Sequence, residues 1–233
     1  MRFSSRNCTL PVTGISPYKM GSSYIDFTES HSDLGIVINR SLKFHNHIAR
    51  KVATLNGMTT NIFKCTVNRD SDFLMSIFTS HIRPGMEYAS CLWNLHYLCD
   101  LRLMERLQKR WTKEVNGLAN LSYDERLKVL NMYSFQGRLL RYDLIYVWKI
   151  FHNHCAVSPQ DLFTLDGNSR TRCHLFKIQV PLAKLKPRRR FFSVRVISYW
   201  NSLAADTVEA VSLSVFKRLL HRDLGWELYR HSC

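Results

Sequence analysis

Apolar residues recur along this chain in two different rhythms, and the change between them divides it. Over residues 18–42 the segments YIDFT and LGIVI combine β-branched and aromatic residues, which predicts short strands with a turn at Asn39-Arg40. From Ser41 the spacing becomes helical: Phe44, Ile48, Val52, Leu55 and Ile62 share one face, with Ser41 as the expected N-cap and Gly57 as a weak point. A second helix is expected from about Asp70, with Phe73, Leu74, Ile77, Phe78 and Ile82 on its stripe, ending at Pro84 because the residue before proline is pushed out of the α region.

A third helix is predicted over about 100–116. Leu101, Met104, Leu107, Trp111 and Val115 form its apolar face, and Gly117 is a fitting stop. Ser122-Tyr-Asp-Glu125 has the form of a capping box opening a short helix that carries Leu127 and Leu130. A longer helix follows from about 136 to 153, with Leu140, Leu144, Val147 and Phe151 on one side. Residues 155–190 read as mostly irregular, interrupted by Pro159, Pro181 and Pro187, with one strand expected over His174–Val180. Helices over about 191–204 (Phe192, Val196, Trp200, Leu203) and 213–222 (Phe216, Leu219, Leu220) complete the pattern. The predicted fold class is mainly α with a small N-terminal antiparallel β element, an α+β chain.

Composition turns this outline toward function. The 233 residues are 45% hydrophobic, as in a globular chain, and the net charge is +15. The last third, residues 161–233, is the most basic, with 13 basic against 6 acidic side chains. The densest feature lies there: Lys184, Lys186, Arg188, Arg189 and Arg190, five basic residues in seven, followed by Phe191 and Phe192. Such a run suits a polyanion, with nucleic acid the first candidate and an anionic membrane surface the second. A localisation signal and a solvated loop are the competing readings of the same run. No stretch of about 20 apolar residues suggests a spanning helix, and the N-terminus lacks the apolar core of a signal peptide. Seven scattered cysteines predict reduced thiols and a nuclear or cytoplasmic location.

Candidate chemistry is sparse. His152, His154 and Cys155 could join Cys173 or His174 around a metal, but no finger or knuckle spacing supports it; helix-end histidines and a buried cysteine are the plainer reading. Cys91, His96 and Cys99 lie close in sequence without a base–nucleophile context. Asp70 and Asp72 are read as helix caps. On the third helix Arg102, Arg106, Lys109, Arg110 and Lys113 mix with Glu105 and Glu114, which suits either a solvated face or contact with a duplex backbone. Trp93, Trp111, Trp148 and Trp200 are expected in the core.

In order, DLGIVINRSLKFHNHI at 33–48, HIRPGMEYASCLWN at 81–94, MERLQKRWTKEVNGL at 104–118, LSYDERLKVLNMYSF at 121–135, RYDLIYVWKIF at 141–151, FFSVRVISYWNSL at 191–203 and then SLSVFKRLL resemble the C-terminal part of non-LTR (LINE-type, Jockey-like) retrotransposon reverse transcriptases. The resemblance covers roughly residues 24–222. It implies that residues 1–42 are a remnant of the palm and primer-grip strands, 43–118 a thumb-like helical bundle, and 119–233 a C-terminal helical extension with a basic loop.

It also implies a template–primer duplex as partner, held through Gln108, Lys109, Arg110 and Lys113 on the thumb and Lys184, Lys186, Arg188, Arg189 and Arg190 in the extension. A palm-containing polymerase chain is a second partner it implies. The family's magnesium ions sit on palm aspartates, and this chain has no Asp-Asp pair. No cofactor is therefore expected here, and no polymerisation by this chain alone. The chain departs from the family at Gln136-Gly137-Arg138-Leu-Leu-Arg141, where a glutamate and paired arginines are usual, and at Ala204, where proline is usual. Two other readings stay open: a non-catalytic scaffold derived from the element, and a degenerate copy without selected function.

Overall fold

The computed structural model describes residues 19–24, 28–93, 98–167, 174–184 and 186–229. The chain is mainly α with a small antiparallel β element at the N-terminal end, the class expected from the pattern. Strands β1 (Lys19–Met20) and β2 (Ser23–Tyr24) pair with each other, as do β3 (Ser30–Asp33) and β4 (Ile36–Asn39). Residues 25–27, most of the first predicted strand, lie outside the described residues.

The expected turn at Asn39-Arg40 follows β4, closed by Leu42 N on the Asn39 carbonyl at 3.0 Å, whereas the β3–β4 turn falls at Leu34-Gly35, inside the second predicted strand. Leu34 and Gly35 both have positive φ, 46° and 76°, the tight hairpin geometry that a glycine makes accessible. Asn39 also organises the exit: its side-chain oxygen accepts from Lys43 N at 2.7 Å and from the Ser41 hydroxyl at 3.2 Å. Consequently the first helix, α1, runs His45–Cys65 and starts after Phe44 rather than being capped by Ser41. At its other end the Arg69 guanidinium donates to the carbonyls of Phe63 (2.8 Å) and Thr66 (2.6 Å), satisfying groups that a helix C-terminus leaves open.

Helix α2 (Ser71–Ile77) begins at Asp70, but the Asp70 side chain makes no cap bond. Pro84 does not end the helical run. A π-helical turn, Phe78–Ile82, intervenes, and α3 (Arg83–Glu87) starts with Pro84 in its first turn. The wider turn lets proline enter where its missing N–H costs nothing. After α4 (Ser90–Trp93), α5 runs Leu98–Lys113 and packs along α1. Helix α6 (Tyr123–Val129) has the complete predicted capping box: the Ser122 hydroxyl accepts from Glu125 N, and the Glu125 carboxylate accepts from Ser122 N.

Helix α7 (Phe135–Phe151) is the spine. It ends at Asn153, whose φ of 56° and the His154 N to Lys149 carbonyl bond of 2.8 Å close the last turn. Short helices α8 (Pro159–Leu162), α9 (Lys186–Arg189), α10 (Phe192–Arg195), α11 (Ile197–Asn201) and α12 (Ala205–Val208) lead to α13 (Leu213–Leu224) and a 3-10 turn, Gly225–Leu228. The predicted strand at 174–180 is reduced to one bridge, Leu165 to Ile178. Only Ile178 of its three expected inward residues is fully buried; Val180 is 68% exposed, and Pro181 follows.

Two clusters of buried apolar side chains result. The first reaches from Ile36 to Leu139 and centres on Trp111, which is ringed by Phe63 at 4.8 Å and Phe78 at 5.5 Å. The second reaches from Leu144 to Leu228 and centres on Trp148, Trp200 and Phe216. Helix α7 contributes Phe135 and Leu139 to the first and Leu144 to Phe151 to the second. Its start is clasped by the C-terminal turn: Ser134 N donates to the Leu228 carbonyl at 3.0 Å, and a Cβ on Gly137 would meet that same oxygen at 2.1 Å. Glycine is the residue that permits this approach.

Candidate nucleic-acid interface

The apolar stripe of α5 decides which of its polar residues face outward. Leu101, Met104, Leu107, Trp111 and Val115 are all buried. Gln108 stands four residues after Met104 and seven after Leu101, so the 3.6-residue period carries it inward with them. It is 1% exposed, and its amide donates to the Tyr133 carbonyl at 2.8 Å. Gln108 therefore presents nothing to a ligand, contrary to expectation, and the helix's own period already carried that signal.

Glu105 is also turned inward, 3% exposed. Its carboxylate accepts from the Tyr123 hydroxyl and, at 3.2 Å, from Phe135 N. Burial and this carboxylate together push the Tyr123 phenol far above its ordinary range, so it stays protonated as the donor. One of the two acids expected among these cations is thus spent inside, while Glu114 is exposed just past the end of α5.

What remains outside is a cationic row. Arg102, Arg106, Arg110 and Lys113 are exposed, and Lys109 is half-buried with its ammonium 4.9 Å from the centre of the Tyr123 ring. From Arg102 to Lys113 the row is roughly 16 Å long at 1.5 Å per residue. Arg110 is held by α1: its guanidinium donates to Thr60 Oγ1 at 3.0 Å and Asn56 Oδ1 at 3.4 Å. Lys64, exposed four residues beyond Thr60, continues that edge. Below the row, buried Arg126 donates to the Lys109 carbonyl at 3.0 Å. Arg102 and Arg106 were not among the expected contacts, and their i, i+4 relation to Arg110 is the signal that adds them; Lys64 lies on α1, where no spacing along α5 points to it.

The second basic run is built differently. Lys184, Arg188 and Arg189 are exposed and Arg190 is half-buried. The backbone of Lys186 opens α9, and its side chain lies outside the described residues. Arg189 Nε donates to the Ala183 carbonyl at 2.7 Å, and the Arg188 guanidinium lies 5.7 Å from the Phe191 ring centre.

The run is fastened through Arg195. That guanidinium is 5% exposed and grips Asp143 of α7 with two bonds, 2.8 and 2.9 Å. It also donates to the Arg190 carbonyl (3.0 Å) and to the Cys91 carbonyl (3.3 Å). Phe192 packs against Tyr146 and Phe163, an anchor rather than a stacking platform. A cleft of about 100 Å³ beside the Arg195–Asp143 pair is lined by Gln136, Leu139, Tyr199 and Glu227.

The four tryptophans with described side chains are structural. Trp93, Trp111, Trp148 and Trp200 are at most 2% exposed. Trp200 and Asn201 together clamp the irregular segment: Trp200 Nε1 donates to the Phe176 carbonyl (2.9 Å), Asn201 Oδ1 accepts from Ile178 N (3.0 Å), and Asn201 Nδ2 donates to the Ile178 carbonyl (2.8 Å).

The expected metal candidates separate. His152 and His154 stack on Trp148, with ring centres 4.1 and 5.2 Å away. His174 is buried, with Nε2 on the Trp200 carbonyl at 3.2 Å, and burial holds its pKa below the ordinary value. His47 is lowered for the same reason and accepts from Val37 N at 3.3 Å, tying the hairpin to α1. Cys173 and His96 lie outside the described residues. Burial raises the Cys91 thiol, so it is a poor nucleophile. Among the described residues one His/Cys/Asp group does converge, His45 with Cys99 and Asp100. Sequence spacing could not reveal it, since His45 and Asp100 are 55 residues apart.

No family model, no curated protein and no solved structure matches this chain. No described helix is long and apolar enough to cross a membrane.

Proposed function

We propose that this chain is the thumb and C-terminal extension of a non-LTR-type reverse transcriptase, and that it holds nucleic-acid duplex without strong sequence preference. The observation that carries the reading is the row Arg102, Arg106, Arg110 and Lys113 on a helix whose two acids, Asp100 and Glu105, are buried, with Glu114 exposed just past its end. Over about 16 Å a duplex presents on the order of ten phosphate charges, one per 1.7 Å. A row of guanidinium groups suits such a target, because phosphate contacts position a duplex without reading its bases. The basic run at 184–190 supplies a second holding surface, fixed to α7 through Arg195.

The chain itself contributes no paired aspartates, so the reading includes no nucleotide transfer by these residues. The hairpin supports a palm-containing chain as a second partner: β3 is exposed at all four positions and Leu34 is 80% exposed. Primer extension with magnesium and a homopolymer template is expected to give no incorporation above background.

The direct test is fluorescence anisotropy with a labelled RNA–DNA duplex over a range of salt concentrations. Engagement of four α5 cations predicts a log–log slope of about −4 or steeper, at −0.9 per neutralised phosphate. Replacing Arg102 and Arg106 with serine should flatten that slope by about 2. A wild-type slope near zero overturns the reading, and an unchanged slope in the double variant removes α5 from the interface.

A further inference from the structure

We propose that His45, Cys99 and Asp100 form a binding site for one divalent transition-metal ion of the zinc class, with three protein ligands and a fourth position open to solvent. His45 is the first residue of α1, and Cys99 and Asp100 lie in the first turn of α5. The site therefore sits where α1 and α5 begin side by side. Each residue presents one donor atom, and these atoms lie within 4.8 Å of one another.

The separations fit the ion with one small movement. Bond lengths near 2.0–2.1 Å to nitrogen and oxygen and 2.3 Å to sulfur, at tetrahedral angles, place the oxygen about 3.4 Å from the nitrogen and about 3.6 Å from the sulfur. Cys99 Sγ is 3.8 Å from Asp100 Oδ1, already close to the required value. His45 Nδ1 is 2.5 Å from the same oxygen, the separation of a pair joined by a proton. An ion replaces that proton, and the imidazole withdraws by roughly 1 Å. The surroundings allow this: the His45 side chain is 58% exposed, whereas the Asp100 carboxylate is 6% exposed. A buried, oriented carboxylate beside two accessible donors is a preorganised half-site.

The donor set selects the class of ion. One imidazole, one thiolate and one carboxylate suit zinc or cobalt and disfavour magnesium and calcium, which take oxygen donors. Thiolate and carboxylate together match the ion's two positive charges. Binding uses the thiolate form of Cys99 and takes the place of the hydrogen bond between His45 and Asp100. The two anionic ligands also lie at helix N-termini, where the partial positive charge of the backbone favours them. The ion would clip α1 to α5 across 55 residues of sequence, and ligand that binds only the folded chain stabilises it by mass action. This site does not depend on the nucleic-acid reading.

The test uses the full chain after chelator treatment, titrated with Co²⁺ and followed by absorption. One equivalent is expected to give tetrahedral d–d bands and a thiolate-to-cobalt charge-transfer band, both removed by added Zn²⁺. Cys99→Ser should abolish the charge-transfer band, and His45→Gln should weaken binding by about tenfold or more, a loss that even outer-shell changes can produce. Both positions are exposed, so the variants retain the fold, which circular dichroism verifies. Cys65→Ser and Cys155→Ser serve as controls and should keep the band. Zn²⁺ should raise the melting temperature of the wild type and not of Cys99→Ser. Absence of a stoichiometric band in the wild type, or its persistence in Cys99→Ser, overturns the proposal.

Discussion

The two hydrophobic clusters reach similar burial by opposite routes. The first is made by long helices: α1 and α5 each present a long, mainly apolar stripe, and the stripes meet around Trp111. The second is made from α7, α13 and a series of helices four or five residues long. Short helices cannot supply their own hydrogen bonds at both ends, so side chains do it for them. Asn201 pairs with both backbone groups of Ile178, Trp200 holds the Phe176 carbonyl, and Arg195 binds the carbonyls of Arg190 and Cys91. Where backbone regularity is low, specific polar side chains take over its role.

The same contrast separates the two basic surfaces. The α5 row inherits its geometry from helix periodicity and from Arg110 docking on α1. The 184–190 run has little regular structure and is positioned through one buried ion pair. Arg195→Ala is therefore the severest test. It would leave Asp143, 5% exposed, without its cation, a change that costs about 3–5 kcal/mol in buried pairs. Denaturant unfolding should register that loss. Native-state hydrogen exchange should show protection falling over residues 174–224 while α1 and α5 keep theirs. Equal loss in both clusters would mean that α7 couples them into one cooperative unit, and the contrast would fail. Duplex binding by the α5 row should survive at temperatures where the variant remains folded.

Asn201→Ala removes the clamp without removing a charge. Two buried backbone groups at Ile178 lose their partners, at about 1–3 kcal/mol each when nothing replaces them. The expected loss is about 2–4 kcal/mol, read as a shifted denaturant midpoint with an unchanged slope. Asn201→Asp is a useful companion: its carboxylate can still accept from Ile178 N but cannot donate to the Ile178 carbonyl. It should fall between wild type and alanine near neutral pH. If alanine costs nothing measurable, the segment is held by packing at Ile178 alone.

These differences explain what could be read from the sequence. Stripes with period 3.6 located α1, α5, α7 and α13, and every apolar residue assigned to the α5 face is buried. The capping box at Ser122 and Glu125 carried its own geometry. Errors arose where one local rule overrode another. A π-turn absorbed Pro84, a positive-φ pair put a hairpin turn at Leu34-Gly35 where strand was expected, and Asn39 captured the donors expected for a Ser41 cap. Gln108 and Glu105 were judged by polarity when their helical position decided their burial. The His45–Cys99–Asp100 group and the Arg195–Asp143 pair were illegible for another reason: both join residues more than fifty positions apart, and no local pattern encodes a long-range contact.

The smallest expected effect lies in the first cluster and completes the contrast. Ser122→Ala breaks the capping box of α6 by removing the hydroxyl that accepts from Glu125 N at 3.3 Å. The Glu125 carboxylate, held below its usual range by its bonds to Ser122, still accepts from Ser122 N. Half the box remains, and water can reach the exposed donor, so the cost should be about 1 kcal/mol. Leu127, fully buried, keeps α6 seated against α5, so exchange protection should fall only in the first turn of α6. If this exposed cap cost as much as Asn201, single polar contacts would matter equally in both clusters. The regular helices of the first would then offer no redundancy against their loss.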